Sequence, residues 1–164
     1  MHPNVDRVAD AARQSGLEIS VERFPEGTRT AEDAARAVGC DVAQIVKSLV
    51  FMAGDDAVLA LVSGANRVDL ARLAAALDVP SVRRATADEA HAATGFAIGG
   101  VPPFGHATRI QVAMDADLNR HAVVWAAAGL PDAVFAIDPA ALAQVSGARV
   151  ADLAEGMPNP AAPA

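Results

Sequence analysis

The sequence has no tyrosine, one tryptophan, one cysteine and one lysine. The lone Cys40 cannot close an internal disulfide, and with only four scattered histidines beside it a structural zinc site lacks its donors, so no metal is expected. Charged residues, Gly or Pro interrupt every apolar run before the roughly 18 residues that a spanning helix needs, so no membrane partner is expected. The first residues, Met1-His2-Pro3-Asn4-Val5-Asp6, lack the basic-then-apolar layout of a secretory leader, and a cytoplasmic location is the expectation. Positive charge is also scarce: 13 Lys and Arg stand against 20 Asp and Glu, a net charge of −7. That balance excludes a protein that holds nucleic acid through a broad basic face, so no DNA partner is expected and any RNA contact must be local. Two phosphate-binding signatures, the Walker loop and the dinucleotide Gly-x-Gly-x-x-Gly, are missing. No Gly-x-Ser-x-Gly elbow occurs, and Cys40 has no evident histidine partner, so water is a better nucleophile than a side chain.

What is present suits one compact domain. A chain of 164 residues, 52% of them hydrophobic, can bury a sizeable core but has no room for a second domain. Residues 1–155 are read as that domain, and 156–164, rich in Pro and Ala, as a disordered tail. Helical spacing of Val5, Val8, Ala9 and Ala12 predicts a helix over 5–15, capped by Asn4 and stopped by Gly16. Alternation predicts a strand over 17–21, and Pro25-Glu26-Gly27-Thr28 reads as a turn. Thr30 caps a helix to Val38, ended by Gly39, and Asp41 caps a short turn. The apolar runs 45–52 and 57–62, joined by Gly54-Asp55-Asp56, predict an antiparallel hairpin. A helix over 68–77, a strand over 80–85 and a capping box at Thr86 and Glu89 follow. Gly95, Gly99, Gly100, Pro102, Pro103 and Gly105 make a shaped loop. Strands over 107–114, 122–127 and 133–137 and a helix begun by Asp138-Pro139 complete the pattern. The sum is an α/β (α+β) fold, a mixed, mostly antiparallel sheet surrounded by helices.

The heavy use of Arg makes the single Lys47 conspicuous, because twelve other basic residues are all arginine. Alternation puts Lys47 on one strand face with Ile45, Leu49 and Phe51, where an unpartnered ammonium is costly. It is either an edge-strand lysine that snorkels or pairs with a carboxylate, or a cation facing a pocket for a phosphate or an ester carbonyl. The glycine-proline loop has the same double reading. It is a rigid turn, or its successive N–H groups at Gly99 and Gly100 bind an ester oxygen as that oxygen gains charge. His106 reads as a solvated loop histidine, and Asp115 and Asp117 as turn or cap residues.

Three segments together resemble a known family. They are Ile45-Val46-Lys47-Ser48-Leu49-Val50-Phe51, then Leu61-Val62-Ser63-Gly64-Ala65-Asn66-Arg67-Val68-Asp69, then Thr94-Gly95-Phe96-Ala97-Ile98-Gly99-Gly100-Val101-Pro102-Pro103-Phe104-Gly105. With Val124-Trp125-Ala126-Ala127-Ala128-Gly129 and the 135–142 stretch, the match runs from about 28 to 153 and resembles the YbaK/prolyl-tRNA synthetase-associated editing family. The resemblance implies a trans-editing aminoacyl-tRNA deacylase that hydrolyses the ester of a small amino acid mischarged on tRNA, above all tRNA for proline. It implies no cofactor. Mischarged tRNA is the implied partner, with prolyl-tRNA synthetase a further one. Carried over residue by residue, the family's strand lysine falls on Lys47 and its glycine-proline loop on Gly99, Gly100, Val101 and Pro102. Ser63, Gly64, Asn66 and Arg67 would shape or flank the pocket, and Ala126, Ala128 and Gly129 match the small-residue strand end beside it. Arg67, Arg72, Arg83, Arg84 and Arg109 are candidates for a local RNA patch. Two other readings remain: a non-catalytic module that binds aminoacylated RNA, a nucleotide or a synthetase partner, and a hydrolase for a small ester unrelated to tRNA.

Overall fold

The computed structural model describes residues 2–24 and 30–156. Helices α1 (Pro3–Gln14), α2 (Ala31–Val38), α3 (Leu70–Leu77), α4 (Ala87–Thr94) and α5 (Pro139–Ser146) alternate with eight strands. The strands are β1 (Val21–Arg23), β2 (Val46–Ala53), β3 (Asp56–Ser63), β4 (Arg83–Arg84), β5 (Gln111–Asp115), β6 (Val124–Ala127), β7 (Ala133–Ile137) and β8 (Arg149–Ala151). A three-stranded antiparallel sheet runs β1-β7-β6, and a five-stranded mixed sheet runs β4-β2-β3-β5-β8. In the larger sheet β3-β5 and β5-β8 are parallel and the other pairings antiparallel, so the mixed, mostly antiparallel expectation holds. A single parallel bridge from Ile45 to Trp125 links the two sheets.

The hairpin explains the core. Gly54 takes φ 62° in the two-residue turn, fixing the register Ala53↔Asp56 and hence Lys47↔Val62. Alternation then sends Val46, Val50, Leu59 and Leu61 into a large core closed by α1, the smaller sheet and α5. Phe51, Val58, Ala60 and Val62 go to the opposite face, packed beneath Leu73 and Leu77 of α3. A third cluster joins Ala34 and Ala35 of α2 to Ile45.

Helix starts follow from side-chain acceptors. Thr30 Oγ accepts from Asp33 N (3.1 Å), Asp138 Oδ1 from Ala140 N (2.7 Å), and Thr86 with Glu89 forms a reciprocal capping box. The Arg83 guanidinium and the Thr86 N–H pull the Glu89 carboxyl down to about 2. At α1 the cap is His2, whose Nδ1 accepts from Asn4 N, rather than Asn4: Pro3 already occupies the first helical position and starts the helix earlier. Strand readings also shorten, 80–85 to Arg83–Arg84 and 122–127 to Val124–Ala127 among them. Leu17 and Ile19 pack against the core without joining a ladder, and β1 starts only at Val21. Residues 107–108 give their N–H groups to Thr94 and Ala93 of α4, so β5 begins at Gln111. The turn read at 25–28 and all but the first residue of the tail read at 156–164 lie outside the described residues.

Candidate functional site

Strand β2 is flanked on one side along its whole length by β3, whereas β4 covers only Phe51 and Met52 on the other. Beyond them the Val50 carbonyl accepts from Ala85 N (3.1 Å), and among the described residues no strand pairs with 46–49 on that side. A cavity of about 320 Å³ lies along this open stretch. Its walls are residues 45–50, the start of α2 (Thr30, Ala31, Ala34), Arg84 and Ala85, the loop residues Ile98, Gly99 and Val101, and Trp125, Ala126 and Ala127 of β6. Lys47 and Ser48 point to opposite faces of the strand, and neighbours of that kind share one cavity only where a strand edge is exposed.

Lys47 is half-buried and donates to the Asn66 carbonyl at 2.5 Å. Burial pushes its ammonium below the ordinary value; Glu32 and Asp115 pull it back, and Arg67 and Arg84 push it further down. Among the described residues no carboxylate lines the cavity. Among the described residues no carboxylate pairs with Arg67 or Arg84, whereas Arg72 is held by Asp152 and Arg83 by Glu89. Arg84 is laid over the Phe51 ring, 5.4 Å from its centroid. In a chain of net charge −7, Lys47, Arg67 and Arg84 are thus three cations close enough to act on one another at this edge. Of the five arginines read as a local patch, Arg84 lines the cavity and Arg67 is felt by Lys47. Arg109 borders a different cleft, with Asp55 and Asp56.

The loop is a turn in which Gly100 N donates to Ala97 O (3.0 Å) and Gly99 takes φ 93°. That is the position a type II turn reserves for a positive φ. Among the described residues no acceptor takes the Gly99 N–H. The paired N–H groups read from sequence are thus corrected to one: Gly99 is exposed and faces the cavity, while Gly100 is buried and spent on the turn. A Cβ on Gly100 would sit 2.9 Å from Leu130 Cα, so its role is close packing. Helix α1 braces the loop from behind, with Arg7 donating to Gly95 O (2.9 Å) over the Phe96 ring. His106 Nε2 meets Pro102 O at 2.7 Å; burial holds this imidazole below its ordinary value, the carbonyl partly offsetting it. It is a partly buried clamp rather than a solvated histidine.

Of the residues named from sequence, Lys47, Gly99, Val101 and Ala126 line the cavity. The others do not line it. Ser63 donates through Oγ to Ala43 O (2.7 Å) and through N to Asp115 Oδ2 (3.1 Å). Gly64 lies so near Val42 that a Cβ would approach its carbonyl to 2.4 Å. Asn66 donates to both Asp115 and Asp117 at 2.8 Å, which ties down the carbonyl that receives Lys47. Asp115, fully buried, also accepts from Asp117 N and begins the short helical turn after β5, the cap role read for it. Ala128 is buried and bonds to Ala133, Gly129 is wedged against Asn4, and Pro102 is held by His106. Sequence reasoning passed over Ser48, Thr30 and Ile98, which are wall residues. Ser48 is the sharpest of these, since among the described residues its Oγ is buried without a hydrogen-bond partner.

Among the described residues no helix is long and apolar enough to cross a membrane, and no group of His, Cys, Asp or Glu is placed to hold a metal ion. Comparison with known proteins agrees with the geometry. The family model described as the aminoacyl-tRNA editing domain matches residues 25–145. An uncharacterized protein of Bacillus subtilis (strain 168), YwhH, is 31% identical over 84% of this chain and 87% of its own length. A proline–tRNA ligase of Lactobacillus gasseri is 37% identical over 48% of this chain, a match covering only 14% of that ligase. A solved structure described as a candidate trans-editing enzyme for prolyl tRNA synthetase superposes with a TM-score of 0.89 at 47% identity, covering 95% of this chain and 99% of that one.

Proposed function

The chain belongs to the aminoacyl-tRNA editing domain family, and from that premise we propose that it hydrolyses the ester linking a wrongly attached small amino acid to tRNA, with tRNA for proline as carrier. The observation that carries this reading is that Lys47 and Gly99 line one cavity on the open edge of β2. The cations Lys47, Arg67 and Arg84 favour the polyanionic 3′ end and negative charge growing on an ester oxygen. Val101 and Ala126 form an apolar wall, and a volume of about 320 Å³ suits a small acyl group.

In this reading the acylated ribose lies along the edge, with Lys47 holding it and the Gly99 N–H directed at the carbonyl oxygen. Water adds to the carbonyl carbon, assisted by the neighbouring ribose hydroxyl, and the oxygen's charge is met by the Gly99 N–H and the Lys47 cation. The bond from carbon to ribose oxygen then breaks, the ribose oxygen takes a proton, and free amino acid and tRNA leave. No side-chain nucleophile is used: Cys40 lies outside the cavity, and burial pushes its thiol up, away from thiolate.

A deacylation time course tests this, using tRNA for proline charged separately with alanine, serine, cysteine, 2-aminobutyrate and proline. One non-proline charge is lost rapidly, and Lys47→Ala slows that loss by at least about 100-fold with the melting temperature unchanged. Binding of charged tRNA without turnover would replace hydrolysis by recognition alone. Equal activity on free aminoacyl esters would remove tRNA from the reading.

A further inference from the structure

We propose that the Ser48 hydroxyl donates a hydrogen bond to the ester carbonyl oxygen during hydrolysis, acting with the Gly99 N–H as a second donor to the growing negative charge. The proposal rests on the deacylase reading. Its starting point is a deficit in the loop: with the Gly100 N–H spent on Ala97 O, the turn offers a single N–H to an oxyanion. Sites that steady such an oxygen use preorganised donors aimed at where the charge develops, and more than one is the rule. Among the described residues Ser48 Oγ is the one buried side-chain oxygen or nitrogen without a partner, and Ser48 lines the same cavity as Gly99. A buried hydroxyl that bonds to nothing costs free energy that a ligand can recover.

Its placement fits a donor to the ester. Ser48 is on the strand face of Val46 and Val50, which point into the large core, so its hydroxyl is a polar group on the otherwise apolar acyl side. Two residues before Val50, whose carbonyl bonds outward to Ala85, its own N–H and C=O also point to the open edge. The residue as a whole is half-buried while its Oγ is fully covered, so the hydroxyl has to turn about χ1 to meet an acceptor in the cavity. The electrostatics set the direction of the bond. With Lys47 and Arg84 in the lining and no carboxylate among its described residues, the oxygen end of the hydroxyl is drawn to the cations and its proton is turned to the negative partner. Among the described residues the lining holds no carboxylate or imidazole to take its proton, and Lys47, on the opposite strand face, is bonded to the Asn66 carbonyl, so the hydroxyl is read as a donor and not as a nucleophile. The proton stays on Ser48 throughout; the hydrogen bond strengthens as the carbonyl becomes tetrahedral and relaxes when the ribose oxygen leaves.

The test is single-turnover deacylation by wild type, Ser48→Ala and Ser48→Thr across the same set of charged tRNAs, with a thermal melt of each protein. Ser48→Ala should slow the step after binding by roughly 100-fold on every acyl group that the wild type removes, with KM little changed, and Ser48→Thr should recover to within about tenfold of wild type. The melt of Ser48→Ala should be equal to or above wild type, because a hydroxyl without a partner has been removed. A wild-type rate for Ser48→Ala would overturn the proposal, as would a threonine variant as slow as the alanine one. A loss confined to one acyl group, or seen only in KM, would assign the hydroxyl to acyl recognition and overturn the oxyanion role. A wild type that turns over none of the charged tRNAs would overturn the deacylase reading itself, and this proposal with it.

Discussion

The turn at Ser63–Asp69 and the turn at Ile98–Val101 are equally conspicuous in the sequence, yet their hydrogen bonding is opposite. In the first, nearly every polar group has an internal partner. Ser63 bonds to Ala43 and Asp115, Gly64 to Ile45, Asn66 to Asp115 and Asp117, and Asp69 to Leu153 and Arg72. In the second, the Gly99 N–H has no acceptor among the described residues and Ile98 leaves an apolar side chain 52% exposed, while Ser48, another wall residue, holds a buried hydroxyl with no partner among them. Apart from the Arg67 guanidinium, the saturated turn has nothing left to offer a ligand, so its backbone and its buried polar groups are scaffold for Lys47. An unsaturated one carries a cost that binding can remove.

Experiments can break this contrast at either end. The largest effect is expected on the saturated side: Asp115→Ala strands the Ser63 N–H and the Asn66 amide in the interior and should cost about 3 kcal/mol, lowering the melting temperature by roughly 6–12 °C in a thermal scan. Activity lost in that variant should return when assayed well below its melt. On the unsaturated side Arg84→Ala should leave the melt alone and raise KM for charged tRNA by roughly 3- to 10-fold at low salt. The log-log salt dependence of its KM should also flatten by about one ion. If Arg84→Ala unfolded the protein instead, the division between scaffold and site would fail.

The smallest effect concerns His106, which ties the far end of the glycine-proline loop to the Pro102 carbonyl. Burial holds its imidazole neutral, so on acidification the unfolded chain takes up the proton first. Stability should therefore fall as pH drops below the ordinary histidine value of about 6.5, and be unaffected above it. His106→Gln keeps an N–H for the Pro102 carbonyl and cannot titrate, so the difference between its melts at neutral and mildly acidic pH should be narrower than that of wild type.

Local chemistry was legible where its partners are near in sequence. The Thr30 and Thr86 caps, the Gly54 turn and the Asp138-Pro139 helix start depend on residues a few positions apart, and all are found as read. Strand ends were not legible, since Leu17 and Ile19 bury without laddering and residues 107–108 bond to the end of α4. β8 (Arg149–Ala151) pairs with a strand far back in the chain and carries no marked pattern of its own. In the candidate site, Lys47 stood out by composition, and the glycine-proline loop by its density. Gly99 and Gly100 look alike as letters, and only the direction of the turn separates an open N–H from a spent one. Ser48 was invisible for a similar reason, because a serine beside a lysine is unremarkable until its burial and missing partner are known.

The half-uncovered side of β2 has a cost unrelated to catalysis. A strand with unpaired backbone groups is a template on which another chain can lay a strand, and natural proteins guard such borders with charge, lysine above all. Lys47 and Arg84 stand at this border, flanked by Leu49, Val50 and Phe51, a segment with the β-forming, uncharged character of aggregation-prone sequences. The cations that serve the reading of this cavity as a substrate site are thus also the kind of residue that guards an open strand border against pairing with another chain.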